Sequence, residues 1–257
     1  METKFIEFCK TGNLDSIKQL INSHEINIHV DDEEGFRLAC LNGHLYIVKY
    51  LINLYKNDDR YNKIDIHINE EEGFRWACCM KRWHIIEYLI NLYKNNKDYE
   101  KIDIHVDNER PFFIACFYKD MRLVKYLINL YKTNKDYIII NIHIINESPF
   151  EWACTSGRIQ IVMYLINLYK NNNMYKKINI HVDEERIFRC VCHYGHLNIL
   201  KYLINLYKQE NNQHCINIYS TYHDVYRLTQ YDTRNEHIAK YLISIGYYSY
   251  KYNNIIL

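Results

Sequence analysis

The chain has few of the residues that interrupt regular structure, with 7 glycines and 2 prolines in 257 residues. That scarcity excludes collagen-like and Gly/Pro-rich disordered classes. No apolar run reaches the roughly 18 residues of a membrane span. The opening Met1-Glu2-Thr3-Lys4-Phe5 is acidic at its second position, with no apolar h-region behind it, and does not read as a signal peptide. Formal net charge is only +1, so there is no global basic field for nucleic acid and no acidic tail. There is no Gly-rich phosphate loop, no His-Glu-x-x-His and no Gly-x-Ser-x-Gly. The 9 cysteines include no Cys-x-x-Cys pair. These absences lead to the expectation of a non-enzymatic protein with no cofactor and with neither nucleic acid nor membrane as partner.

What is present is a period. His29, His67, His105, His143 and His181 stand 38 apart, as do Phe36, Phe74, Phe112, Phe150 and Phe188. Cys40, Cys78, Cys116, Cys154 and Cys192 keep the same step, and Leu-Ile-Asn-Leu-Tyr-Lys starts at Leu51, Leu89, Leu127, Leu165 and Leu203. A fixed period of this size marks a solenoid, in which each unit buries its apolar face only against its neighbours. The excess of Asn, Ile, Lys and Tyr (26 tyrosines) follows A/T-rich codons, a nucleotide bias rather than a chemical demand. Cysteine at one repeated position suits a reduced intracellular protein that uses it as a small core residue.

Within one unit, Phe36, Ala39 and Cys40 lie on one helical face. Gly43 ends that run. Leu45, Ile47, Val48, Leu51, Ile52 and Tyr55 then form a second, longer amphipathic stretch, so the unit is a helical hairpin. Between hairpins runs a short alternating finger such as Asp65-Ile66-His67-Ile68, ending in the acidic turn Glu70-Glu71-Glu72.

Ser148-Pro149-Phe150-Glu151-Trp152-Ala153-Cys154 and Gly43-His44-Leu45-Tyr46-Ile47-Val48 resemble the two halves of the ankyrin repeat, and Gly195-His196-Leu197 opens another match. The resemblance covers essentially the whole chain. It implies an all-α ankyrin-repeat solenoid of helix-turn-helix units with short extended fingers. The period departs from the family's, which is about 33. Most of the excess lies after the second helix, where Tyr61, Tyr99, Tyr137 and Tyr175 recur in phase with Ile64, Ile102, Ile140 and Ile178. A solvated loop has no reason to repeat these residues, so the second helix is expected to be extended and to pack on the next unit. The idiom of the repeats, with its Asn/Ile/Lys/Tyr bias, resembles the ankyrin families of giant DNA viruses of amoebae. That resemblance implies a viral protein acting on host proteins in the host cytoplasm.

Repeat phase makes residues 1–257 a single array. Residues 1–26 form an N-terminal capping unit with helices near 2–11 and 14–23. Full units follow at 27–64, 65–102, 103–140, 141–178 and 179–216, and 217–257 is a degenerate C-terminal cap. In that cap Ile218, Tyr226 and Leu228 keep the phase, His237–Ile243 forms a helix stopped by Gly246, and an aromatic tail runs from Tyr247 to Tyr252.

Equivalent residues in stacked helices lie ~8–10 Å apart. Two histidines on one zinc need nitrogens within roughly 3–4 Å, so the His column is expected to hydrogen-bond between fingers rather than bind metal. The Cys column fails the corresponding ~7 Å disulfide test. A metal-dependent protein or enzyme using Cys190, Cys192, His193 and His196 is the alternative of a different class, and a self-associating architectural protein with an aromatic tail is a third. Cys215, beside His214, is the candidate reactive thiol.

The finger tips carry Asp31, Asp32, Glu33 and Glu34, then Glu70, Glu71 and Glu72, then Asp107 and Glu109, Glu147, and Asp183, Glu184 and Glu185. Behind them stand Arg37, Arg75, Arg110, Arg186 and Arg189. Either these charges neutralise one another in solvated turns, or the acids form a stripe that steers a basic partner. First-helix positions vary most between units, with Leu41, Cys79, Phe117, Thr155 and His193 in one column and Asn42, Met80, Tyr118, Ser156 and Tyr194 in the next. Met80, Trp83, Phe117, Tyr118 and Met121 form the expected apolar anchor. The expected function is therefore a monomeric protein–protein interaction scaffold. It would bind an unidentified protein through fingers and first helices, at Asp32, Glu33, Glu71, Glu72, Arg75, Met80, Trp83, Glu109, Phe117, Tyr118, Glu184, Glu185 and Tyr194.

Overall fold

The computed structural model describes residues 1–209 and 235–245. Among them there are thirteen helices and no strand. His214, Cys215, Ile218, Tyr226, Leu228, Gly246 and the tail from Tyr247 to Tyr252 lie outside the described residues. The chain divides into two compact units, Met1–Ile140 and Asn141–Leu257. The first contains α1 (Glu2–Thr11), α2 (Leu14–Ser23), α3 (Val30–Asn42), α4 (Leu45–Asn57), α5 (Ile68–Cys79), α6 (Trp83–Asn95), α7 (Val106–Phe117) and α8 (Met121–Thr133). The second contains α9 (Ile144–Thr155), α10 (Ile159–Asn171), α11 (Val182–His193), α12 (Leu197–Gln209) and α13 (Glu236–Ser244).

Odd-numbered helices from α1 to α11 are first helices, and the even-numbered one after each is its antiparallel partner. In the first unit α1, α3, α5 and α7 pack in succession, and in the second α9 packs on α11. Phe36, Phe74, Phe112, Phe150 and Phe188 are fully buried, each contributing ~1.5–3 kcal/mol. Second helices turn one stripe inward, which in α4 is Ile47, Val48, Leu51, Ile52 and Leu54. The Cys column is core. Desolvation pushes the Cys9 thiol up to about 12 and those of Cys40, Cys116 and Cys192 up as well, so these groups stay protonated and inert.

The segment after the second helix differs from expectation in one respect. The helix does lengthen, to 13 residues in α4 against 10 in α2. The recurring Tyr and Ile are buried beyond its end, but Tyr99 and Tyr137 reach back to the preceding repeat rather than forward to the following one. Tyr99 donates from its hydroxyl to the Ile52 carbonyl at 3.1 Å, and Tyr137 to Ile90 at 3.2 Å. Tyr55 and Tyr93 meet these rings edge-on at 6.2 and 6.4 Å and donate to Asp98 and Asp136 at 2.5 Å. The extra residues thus form a tyrosine clasp along the second-helix layer.

First helices end in a left-handed residue that lets the chain reverse. Gly43 takes φ 89° there, and Arg82 of the next hairpin lies over it, its Cδ 2.9 Å from where a Cβ would stand. Gly12, Gly157 and Gly195 repeat this arrangement, but Lys81 (φ 56°) and Lys119 (φ 60°) occupy the same position in the two later hairpins of the first unit. A side chain in this conformation costs ~1–2 kcal/mol.

Candidate partner-binding face

The fingers are built on one seven-residue pattern, seen in Asp65-Ile66-His67-Ile68-Asn69-Glu70-Glu71. The isoleucine is buried. The first residue accepts the His backbone N–H through its side chain, at 2.8–3.0 Å in the repeats of His105 and His143 and similarly elsewhere. The last three residues then adopt positive φ in succession. Asn69, Glu70 and Glu71 have φ 49°, 57° and 58°, and Asp31–Glu33, Asp107–Glu109, Ile145–Glu147 and Asp183–Glu185 do the same. Each finger therefore ends in one left-handed helical turn before the right-handed first helix begins. Asn and Asp tolerate this conformation best, which accounts for their recurrence at the first two positions.

This turn divides the acidic residues into two sets. Glu33, Glu71, Glu109 and Glu185, expected in the solvated acidic stripe, are 4–5% exposed, as is Glu147. They correct that part of the reading, because three left-handed residues rotate the third side chain beneath the finger. The carboxylates of Glu33, Glu71, Glu109, Glu147 and Glu185 accept from the Nδ1 of His29, His67, His105, His143 and His181 at 2.7–3.0 Å. Glu33, Glu71 and Glu147 also accept the backbone N–H of Asp65, Asp103 and Asn179 in the next finger, at 3.0, 2.9 and 3.0 Å. Glu185 accepts the Tyr207 hydroxyl at 2.8 Å. The histidines were expected to bridge fingers directly, yet the buried glutamate makes the bridge and the histidine orients it. Its hydrogen bond to Glu71 raises the His67 pKa against the opposing effect of burial. The signal for these glutamates was in the chain, since Glu recurs without exception at this position while the two residues before it vary among Asp, Asn, Glu and Ile.

Arginines meet some of the outer acids and the backbone carbonyls of others. Arg37 donates to the carbonyls of Asp31 and Asp32 at 2.7 and 2.8 Å and pairs with Glu72. Arg75 donates to the Asn69 carbonyl at 2.8 Å and approaches Asp107 at 3.5 Å. In the second unit Arg186 pairs with Glu151 and Asp183 at 2.7 and 3.0 Å, and Arg189 donates to the Glu184 carbonyl at 2.9 Å. Asp32 and Glu184 remain exposed, and Glu72 is half-buried.

The apolar candidates also separate. Met80 and Tyr118 end the first helices α5 and α7 with 48% and 46% of their surface exposed, and Phe117 meets Tyr118 edge-on at 4.9 Å. Tyr194 takes the same place after α11, 57% exposed. Trp83 instead starts the second helix α6. The Arg122 guanidinium covers its ring at 3.9 Å, and Tyr126 meets it edge-on at 5.9 Å. It braces α6 against α8 and is not an open anchor. Sequence reasoning missed two exposed side chains on α9, Trp152 and the left-handed Ile145. Of the four Cys/His candidates, Cys192 is core, Cys190 points to Glu151 at 3.7 Å and His196 Nε2 contacts the Thr155 carbonyl at 2.7 Å. They do not converge on a common point.

Residues 74–182 match the family model described as ankyrin repeats (3 copies). No curated protein matches the sequence significantly. The similarity to ankyrin repeats thus spans somewhat under half of the chain. Among the described residues, no helix is long and apolar enough to cross a membrane.

Proposed function

We propose that this chain is a non-catalytic scaffold that captures a protein partner on its first-helix face, with Met80, Phe117 and Tyr118 as apolar anchors in the first unit. The observation that carries the reading is the contrast between columns. The Phe and Cys columns repeat without change and are buried, whereas Met80, Tyr118 and Tyr194, in a column that varies, are exposed. Large apolar groups left open at variable positions of a regular frame have no role in the stack, and they suit the centre of an interface. Steering by acidic fingers contributes less than charge counting suggests, because arginines and the buried histidine pairs take up most of the carboxylates. In line with the resemblance to ankyrin proteins of giant DNA viruses, we take the partner to be a host protein met by a monomeric chain in the host cytoplasm.

The test is capture from amoebal lysate at low and high salt, followed by affinity measurement with the purified partner. Replacing Met80 and Tyr118 together by Ala should weaken binding by about tenfold or more. The control is Tyr46→Ala, at a site 78% exposed on the second-helix side, which should leave binding unchanged. Equal affinity of all three proteins would refute the assignment of the face. Capture of no protein at either salt would refute the scaffold reading.

A further inference from the structure

The helix-to-helix turns of the first unit are not alike, and the difference carries chemistry. Gly12 and Gly43 fill the left-handed position in its two earlier hairpins, and Lys81 and Lys119 fill it in the two later ones. Lysine has no local hydrogen bond that offsets this conformation, unlike Asn or Asp, so the fold is better served by glycine at both places. Both lysines are exposed, and neither ammonium group reaches a carboxylate among the described residues. The nearest acid in sequence, Asp120, is buried and caps α8 by accepting the Leu123 N–H at 3.0 Å. Each lysine directly follows an exposed apolar residue, giving Met80-Lys81 and Tyr118-Lys119. Adjacent hairpins stand ~10 Å apart, so the two dipeptides form a short ladder in which a cation and an apolar side chain alternate. Strain retained beside exposed apolar groups is a mark of function.

We infer that this edge docks an acidic, apolar peptide segment of a partner protein, in which carboxylates face Lys81 and Lys119 and an aliphatic or aromatic side chain lies against Met80 and Tyr118. The inference rests on the scaffold reading and adds the partner's chemistry, opposite in charge to the one a fingertip acidic stripe would select. A nucleic acid is disfavoured, because two lysines neutralise few phosphates.

The experiment is selection of a displayed library of short random peptides on the full chain, with counter-selection on the K81G/K119G variant. The glycines relieve the strained turns, so this variant should melt no lower than the parent, and lost binding then reports the site rather than the fold. The expected result is enrichment of Asp and Glu beside Leu, Phe or Trp. Synthetic copies should bind the parent about tenfold more tightly than K81G/K119G and should weaken as salt rises. Basic or uncharged winners, no enrichment at all, or equal affinity for the variant would overturn the inference, as would preferential binding of a single-stranded oligonucleotide through the same lysines. A partner that needs Met80 and Tyr118 but ignores K81G/K119G would leave the scaffold reading standing and remove this one.

Discussion

The buried glutamate is the feature most exposed to test, and Glu71→Ala is the sharpest perturbation. Glu71 is 4% exposed and accepts two bonds at 2.9 Å, one from His67 Nδ1 and one from the Asp103 N–H of the next finger. Hydrogen bonds to a charged acceptor are worth about 1.5–3 kcal/mol each. The methyl group leaves an enclosed backbone donor and a half-buried histidine without their acceptor. The loss should therefore be about 3–4 kcal/mol, within the range for breaking a buried charged pair. Its site matters as much as its size, because the bond to Asp103 crosses between repeats. In a nearest-neighbour stack, weakening one interface uncouples the two sides. Urea unfolding followed by circular dichroism should show an earlier midpoint and a broadened or split transition. The control is Glu70→Ala, one residue away in the same left-handed turn but exposed, which should stay within about 0.5 kcal/mol of the parent. Glu71→Ala losing less than about 1 kcal/mol, or Glu70→Ala losing as much, would refute the two-sided account of the turn.

Three further outcomes follow from the same structure. Tyr99→Phe removes the buried hydroxyl bond to the Ile52 carbonyl and should cost about 1 kcal/mol in the same assay, whereas Tyr46→Phe, on an open surface, should cost nothing measurable. Ile145→Asn puts a residue that tolerates positive φ where a β-branched one now stands at φ 47°, and should stabilise by about 1 kcal/mol, read as a rise in Tm. The His67 pKa is raised by Glu71, with Asp65 and Glu100 adding to the effect, so protonated His67 stabilises the fold. That contribution is complete below the unfolded value and is lost as pH rises through the folded one. The stability gap between the parent and His67→Asn should accordingly narrow from mildly acidic to alkaline pH, and a gap that widens would contradict the sign.

The parts of this fold legible in the chain are those set by burial. Phe36, Cys40, Leu51 and their copies recur because a stack must fill the same space each time, and such columns fix helices even without partners in view. Gly12 and Gly43 could be read as turns because only their conformation explains a glycine there. The left-handed finger was not legible by the same logic. Apolar periodicity says nothing about a three-residue turn of opposite hand, and a run such as Glu70-Glu71-Glu72 looks uniformly solvated when judged by charge. Recurrence was the better guide, since a surface acid is free to drift and Glu33, Glu71, Glu109, Glu147 and Glu185 do not.

The same distinction bounds what a repeat chain can disclose about function. A buried column that never changes reports the neighbour inside the stack, as the glutamate of the His–Glu pair does. A column that changes and stays exposed, as at Met80, Tyr118 and Tyr194, is under no such demand. Lys81 and Lys119 go further, for they replace a residue the turn favours with one it strains against. Neutral drift explains variation where all choices cost the same, but here the alternative is cheaper and is used at Gly12 and Gly43. The strained lysines and the open Met80 and Tyr118 therefore direct attention to one edge of the first unit, where the partner's chemistry can be read as carboxylate and apolar before the partner itself is known.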